Sequence, residues 1–190
     1  MTTSTNPNAT PNATLGPRVA LVEPGTRPEL AEMEARIQGA RGRISPLYQV
    51  LLNSPAVVEG WEAMLTAIRN KTGISARHRE LVILRVAMLN RAAYEFDAHV
   101  PHALKGGVSQ AAIDALREDA DGAIRGIELD DLDRQVLALT DTMTREIEVP
   151  DAQFNALQDH FGPQGMVELT ATVAAYNMVS RFLVAMHIGH

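Results

Sequence analysis

The chain has 190 residues, of which 46% are hydrophobic and only 4% aromatic, with a formal net charge of −6 at pH 7 and no cysteine. The acidic balance argues against nucleic acid as a partner, because phosphate binding needs a basic stripe. The lack of cysteine excludes a disulfide framework and a thiolate nucleophile. The apolar residues are mostly Ala, Leu, Val, Ile and Met, a mixture that favours helices packed on helices and predicts an all-α protein.

The first sixteen residues, MTTSTNPNATPNATLG, are polar and show neither the positive nor the apolar region of a signal peptide. We expect residues 1–16 to form a disordered tail. Residues 17–190 are long enough for one well-buried core, and we expect them to form a single helical domain that begins with an extended arm. A cytoplasmic location is the default expectation.

Hydrophobic periodicity and breaker residues predict a succession of helices after this arm. The expected helices cover 28–38, PLYQVLLN, the segment from Ser54-Pro55 to the NKTGIS break, 76–89, 90–105, SQAAIDALRE, 130–145, AQFNALQDHF and 164–188. Thr26, Ser75 and Asn90 are the expected N-caps of three of them. The segment DADGAIRGIEL is expected to be a loop. Gly162-Pro163 is expected to end the helix AQFNALQDHF.

The last predicted helix is apolar on nearly every face. Its length is close to that of a membrane span, but Glu168, Asn177, Arg181 and His187 interrupt it, and such groups are costly inside a bilayer. A helix that is hydrophobic all round is otherwise buried on several sides. We therefore expect no membrane contact, and we expect this helix to form a subunit interface in a homo-oligomer.

The stretch NRAAYEFDAHVPHALKGG, residues 90–107, concentrates acid and base groups. Glu95 and His99 are four residues apart, so one helix places them on the same face, and His102 follows three residues later. Glu80, on the preceding helix, can fold back toward the same place. A His–Glu pair is a tunable proton carrier, although the same spacing is common on solvated helix faces.

The longer segment RELVILRVAMLNRAAYEFDAHVPHALKGGVSQAAIDAL resembles the core of the carboxymuconolactone decarboxylase family, whose helical superfamily also contains alkylhydroperoxidase D. The peroxidase branch has a glutamate, eleven residues, a Cys-x-x-Cys pair, three residues and a histidine. Glu80 and His99 match its glutamate and histidine, whereas Ala92 and Glu95 occupy the cysteine positions. The resemblance implies an alkylhydroperoxidase D-like helical bundle of a cysteine-free branch, assembled as a trimer or hexamer and working without a metal or other cofactor.

Peroxide reduction needs an attacking and a resolving thiol, so the missing cysteines exclude thiol peroxidase activity. The resemblance to the decarboxylase branch instead implies a cofactor-independent lyase. Its substrate would be a small carboxylated lactone or another intermediate of aromatic catabolism. His99 is then the expected proton donor, with Glu95 orienting it and Glu80 positioning it or a water.

Three further residues are candidates for substrate binding. Arg85 has a planar guanidinium suited to a substrate carboxylate, although a structural ion pair with Glu80 or Asp97 is an equal alternative. Tyr94 and His102 are candidate donors to a developing oxyanion.

Other interpretations remain open from the sequence alone. Glu95, His99 and His102 resemble a metal site with two histidines and one carboxylate. A metal-free hydrolase, hydratase or isomerase would use the same groups as a decarboxylase. A non-catalytic oligomeric scaffold would instead have His99 sealed under apolar side chains.

Overall fold

The computed structural model describes residues 16–118 and 129–189, and within these ranges the chain is helical and has no strand. Its regular elements are a short 3₁₀ turn, Pro28–Leu30, and the helices α1 (Ala31–Arg41), α2 (Pro46–Leu51), α3 (Pro55–Asn70), α4 (Ala76–Leu89), α5 (Ala93–Lys105), α6 (Gln110–Glu118), α7 (Asp131–Arg145) and α8 (Asp151–Ala185). The predicted all-α class is confirmed. The predicted tail, apart from Gly16, and most of the predicted DADGAIRGIEL loop lie outside the described residues.

Two glycines explain where helices end or change direction. Gly42 has φ 74° and terminates α1. The helix ends at Arg41, three residues beyond the predicted end at Gln38. Gly162 has φ 66° and interrupts α8, so the two helices predicted on either side of it run directly into each other across a kink. Glycine adopts this left-handed conformation without a steric penalty, which is why both breaks fall where the sequence indicates them.

Of the three predicted N-caps, only Ser75 is confirmed: its hydroxyl accepts a hydrogen bond from the backbone N–H of His78 at 3.1 Å. The Thr26 hydroxyl instead donates to the Glu23 carbonyl oxygen at 2.6 Å. The Asn90 amide donates to Asn177 Oδ1 at 3.0 Å and to Ser180 Oγ at 2.7 Å. Asn90 therefore ties the turn between α4 and α5 to α8, because α8 offers it buried acceptors.

Helix α4 is the centre of the fold. Its eight residues 80–87 are all buried, and it packs against α5, α6, α7 and α8. Its apolar side chains serve two hydrophobic clusters: Val82, Ile83 and Val86 pack with α2, α3 and α8, and Leu81, Leu84 and Ala87 pack with α5, α6 and α7. A helix surrounded in this way carries its two charged buried residues, Glu80 and Arg85, into the interior.

The N-terminal arm is held against the rest of the chain. The Arg18 N–H donates to the Met186 carbonyl oxygen at 3.0 Å, and the Val22 N–H donates to the Gln49 carbonyl oxygen at 3.1 Å. The Val22 side chain is buried. The arm therefore joins α2 to the turn that follows α8.

The outer face of α8 is apolar and open. Val167 is 70% exposed and borders a shallow cavity of about 520 Å³ that is also lined by Phe154, Pro163 and Met166. Exposed apolar patches of this kind mark interaction surfaces. The subunit interface expected on α8 stays a prediction. No helix among the described residues is long and apolar enough to cross a membrane.

Candidate active site

A cavity of about 370 Å³ lies among α1 to α5 and α8, a size that suits a small molecule. Five of the six predicted site residues line it: Glu80, Tyr94, Glu95, His99 and His102. The sequence predicted that His99 and its acidic neighbours would meet near one pocket, and the structure brings them together there.

His99 lies between two carboxylates that come from different helices. Its Nδ1 is 2.7 Å from Glu80 Oε2 on α4, and its Nε2 is 3.4 Å from Glu95 Oε1 on α5. All three side chains are buried, with Glu80 1% and His99 4% exposed. This arrangement differs from a solvated helix face, because water cannot screen the charges of the three groups.

The carboxylates determine the protonation of His99. Burial alone would lower the pKa of His99, but its hydrogen bonds to Glu80 and Glu95 and the charges of these carboxylates outweigh burial and raise the pKa. Burial would raise the pKa of Glu80, but the hydrogen bond to His99 and the positive charges nearby lower it. The two groups therefore form an imidazolium–carboxylate pair.

The shifts of the two pKa values determine the pH range in which this pair stabilises the fold. The raised pKa of His99 contributes stability that is complete below the ordinary value of 6.5 and is lost as pH rises through the folded value. The lowered pKa of Glu80 contributes stability that is complete above the ordinary value of 4.5 and is lost as pH falls through the folded value. The pair therefore stabilises the fold most between these two ordinary values.

Replacing Glu80 with Gln is expected to lower the pKa of His99, since the variant keeps the shape of the side chain but removes its charge. Titration of isotope-labelled histidine by NMR measures the midpoint directly. Asp97→Asn is the matched control, because Asp97 is an exposed carboxylate on the same helix as His99. A His99 midpoint that is the same in the wild type and in Glu80→Gln contradicts the ionic pair.

The two other predicted residues on the cavity wall are neutral. The ring centroid of His102 is 5.5 Å from that of His99, and its Nε2 is 3.5 Å from a guanidinium nitrogen of Arg69. Burial, together with the charges of Arg69 and His99, lowers the pKa of His102. Burial raises the pKa of Tyr94 and keeps its phenol protonated near neutral pH.

The structure contradicts the predicted role of Arg85 as the substrate anchor. Arg85 is fully buried and does not line the cavity. Its guanidinium binds Asp141 on α7 through two hydrogen bonds, Nε to Oδ1 at 2.5 Å and a terminal nitrogen to Oδ2 at 2.6 Å. The structure shows the alternative of a structural ion pair, but the carboxylate is Asp141 and not the predicted Glu80 or Asp97, because Arg85 lies on the side of α4 that packs against α7.

Other arginines, which the sequence reasoning missed, occupy the cavity wall: Arg41, Arg43, Arg69 and Arg79. Arg79 pairs with Glu80 at 3.2 Å, whereas the other three form no ion pair with any carboxylate of the described residues. No motif spacing marks them, since they come from α1, the α1–α2 connection, α3 and α4. Together they make this wall of the cavity positive.

Three aromatic residues on the cavity wall were also missed as site residues: Tyr48, Trp61 and Tyr176. Trp61 lies on α3 and Tyr176 lies on α8, and no motif in the sequence marks either of them. The Tyr176 ring packs edge-on against His99, with centroids 5.4 Å apart. A phenol within an otherwise apolar helix was the available signal.

No group of three or more His, Asp or Glu side chains in residues 16–118 and 129–189 has an arrangement that could hold a metal ion. The set of Glu95, His99 and His102 suggested by the spacing is therefore not a ligand cluster in this conformation. Glu95 and His99 instead belong to the hydrogen-bonded acid and base groups described above.

The fold and this site define a helical protein of the alkylhydroperoxidase D-like class, built without cysteine. Residues 55–138, from α3 into α7, match the model of the carboxymuconolactone decarboxylase family. This match, together with the solved structures of the same fold, supports assignment to the carboxymuconolactone decarboxylase and alkylhydroperoxidase D-like superfamily. No curated protein matches the sequence.

Solved structures agree on the fold. An uncharacterized peroxidase-related protein with an alkylhydroperoxidase AhpD core from Ralstonia eutropha JMP134 has a TM-score of 0.76 at 17% identity, covering 92% of each chain. An uncharacterized peroxidase-related protein from Silicibacter sp. TM1040 has a TM-score of 0.75 at 18% identity, covering 94% of this chain and 93% of its own. A variant of the debrominase Bmp8, in complex with 2,3,4-tribromopyrrole, has a TM-score of 0.72 at 14% identity, covering 92% of this chain and 91% of its own.

Proposed function

We propose that the protein is a cofactor-independent decarboxylase, or a related proton-transfer enzyme, that acts on a small carboxylated lactone or another intermediate of aromatic breakdown. The observation that carries this proposal is the buried imidazole of His99, held between Glu80 and Glu95 at the wall of a cavity. The match to the carboxymuconolactone decarboxylase family supports the same class of reaction. The debrominase complex supports a small ring as the kind of ligand, because a halogenated pyrrole binds to a protein of this fold.

Each step of the proposed reaction has a candidate group at this site. When the carbon–carbon bond to the carboxylate breaks, CO2 leaves and the bonding electron pair delocalises through the double bond to the lactone carbonyl. The resulting dienolate needs one proton on carbon. His99 in its protonated form supplies that proton, and the raised pKa keeps this form populated near neutral pH. Glu80 and Glu95 stabilise the imidazolium before transfer, and after transfer they favour the uptake of a proton from solvent that restores it.

The cavity arginines take over the binding role first assigned to Arg85. Arg41, Arg43 and Arg69 line the cavity and form no ion pair with a described carboxylate, so their guanidinium groups are available to an anion. Guanidinium binds carboxylate with two parallel hydrogen bonds, which fixes the orientation of the substrate. Arg69 is the candidate whose contact to His102 connects it to the acid and base groups.

Replacing Arg69 with Met is expected to raise the KM about tenfold or more while changing kcat much less. The reason is that a charge-assisted hydrogen bond is worth about 1.5–3 kcal/mol and each 1.4 kcal/mol is about tenfold in affinity. Steady-state kinetics on the carboxylated substrate measure both constants. Arg117→Met is the matched control, since Arg117 is an exposed arginine outside this cavity. Equal KM values for Arg69→Met and the wild type contradict the assignment.

The reaction is tested with γ-carboxymuconolactone in deuterated water. We expect release of CO2 and incorporation of one deuterium on the product carbon, detected by NMR. Opening of the lactone without CO2 release would instead identify a hydrolase, and addition of water or a double-bond shift would identify a hydratase or an isomerase. The absence of any turnover over a panel of carboxylated lactones would leave the non-catalytic scaffold as the better description.

A homo-oligomer, trimeric or hexameric, is part of the proposal. The exposed apolar face of α8 around Val167 supports it, because such a surface is costly to leave in water. Light scattering on the purified protein measures the assembly. A monomer at micromolar concentration would contradict it.

A further inference from the structure

Unpartnered polar atoms concentrate around the candidate active site. Among the described residues, five buried side-chain nitrogen or oxygen atoms have no hydrogen-bond partner. Three belong to residues that line the 370 Å³ cavity: Arg41 Nε, Trp61 Nε1 and the Tyr176 hydroxyl. Buried polar groups are nearly always paired, since an unmade hydrogen bond destabilises the fold. All three are hydrogen-bond donors on residues of one cavity wall, so a ligand that brings acceptors would supply the partners they lack.

The two aromatic donors are held in place by packing. Trp61 is 7% exposed, and its ring contacts Phe182 with centroids 5.1 Å apart. Tyr176 is 1% exposed, and its ring lies edge-on to His99. An indole N–H can only donate, and burial raises the pKa of Tyr176 so strongly that its phenol also stays a donor. Neither group carries a charge, so both suit a neutral acceptor better than a carboxylate.

We propose that the Trp61 indole N–H and the Tyr176 hydroxyl bind the neutral carbonyl oxygen of the substrate, a small cyclic ester that also carries a carboxylate, and stabilise the negative charge that develops on that oxygen. This inference rests on the proposed function. It assigns to Trp61 and Tyr176 the oxyanion-binding role for which Tyr94 and His102 were the candidates from the sequence. The carboxylate goes to the arginines, so the two ends of the ligand are recognised by chemically different groups.

Donors of this kind act electrostatically. As CO2 departs, its bonding electrons move onto the ring and raise the charge on the carbonyl oxygen, while the two donors remain in position without reorganising. Preorganised donors stabilise such a transition state more than water does. The closeness of Tyr176 to His99 puts oxyanion binding beside proton delivery, as the reaction requires.

Two probe ligands test the inference. One probe is γ-butyrolactone that carries a carboxylate on its γ carbon, and the other is tetrahydrofuroate. Both have a five-membered ring and a carboxylate on the carbon next to the ring oxygen, but only the lactone has the carbonyl oxygen. Calorimetric titration of the wild type is expected to show roughly tenfold tighter binding of the lactone. Trp61→Phe and Tyr176→Phe are each expected to reduce that preference severalfold while leaving the affinity for tetrahydrofuroate nearly unchanged.

Tyr48→Phe is the matched control, because Tyr48 lines the same cavity but its hydroxyl is not one of the buried unpartnered atoms. It is expected to keep the wild-type preference. The Tyr176→Phe variant should also unfold at the same temperature as the wild type or higher, since its hydroxyl has no partner to lose. A clear loss of thermal stability in that variant would indicate a structural role and overturn the inference.

The inference is also overturned if the wild type binds the two probes equally or binds neither, or if both Phe variants keep the full preference. These results are separate from failure of the proposed reaction. If the protein prefers the lactone through Trp61 and Tyr176 but releases no CO2, the inferred binding site stands and the decarboxylase proposal fails.

Discussion

Replacing His99 with Asn is expected to lower kcat on the carboxylated lactone by about 10²- to 10⁴-fold, the usual contribution of a general acid. Asparagine retains a polar side chain of similar size but cannot carry the proton that the dienolate carbon needs. The affinity for the substrate should change little, because the arginines that bind its carboxylate remain. CO2 release under single-turnover conditions measures the chemical step directly.

The pH profile distinguishes a catalytic role of His99 from a structural one. Because the pKa of His99 is raised, the wild type should keep the acid form to a pH above 6.5 and lose activity as pH rises further, and this loss should be absent in His99→Asn. His160→Asn is the control, since His160 is an exposed residue of α8 that does not line the cavity. A His99→Asn enzyme with near wild-type kcat would show that another group delivers the proton.

Replacing Asp141 with Asn is expected to destabilise the fold by about 3 kcal/mol, because it leaves the guanidinium of Arg85 buried without its carboxylate. Arg85 has no solvent exposure, so bulk water does not screen the charge of its guanidinium. Chemical denaturation measures the change in the free energy of unfolding. The KM for the carboxylated substrate should stay at the wild-type value in the folded protein, because Arg85 does not line the cavity.

The comparison variant is Asp97→Asn, which breaks the ion pair with Arg117. That pair is solvent-exposed, with side chains 63% and 46% exposed, and pairs of this kind contribute about 0–1 kcal/mol. Similar losses of stability in the two variants would contradict the larger contribution to the free energy of unfolding that is expected of the buried pair. A large increase of KM in Asp141→Asn would restore Arg85 as a candidate for substrate binding.

Local chemistry in the sequence was enough to predict most of the architecture. Ser75 caps α4 as expected, and helix breaks fall at Gly42 and Gly162 because only local conformation decides them. The spacing of Glu95 and His99 was also sufficient to predict their shared face, since residues four apart on a helix are neighbours. The match of Glu80 to a motif glutamate then indicated the second carboxylate of the pair.

Helical geometry alone already separated two residues that were predicted to share a pocket. Glu80 and Arg85 are five positions apart, which is about 140° around a helix of 3.6 residues per turn, so they point to different sides of α4. Glu80 meets α5 and the cavity, and Arg85 meets α7. The sequence left open which side of α4 would face the cavity, because both sides are buried.

What the sequence determined by itself is the helical class, most helix boundaries and the acid and base groups on α5, because each depends on neighbours within one or two turns. Only the tertiary structure decided which arginines line the cavity, that the Asn90 side chain ties a turn to α8 instead of N-capping α5, and that Trp61 and Tyr176 share a cavity with His99. Trp61 and Tyr176 are 115 positions apart, and no local spacing encodes their meeting. It follows from how the buried faces of the helices pack together around α4.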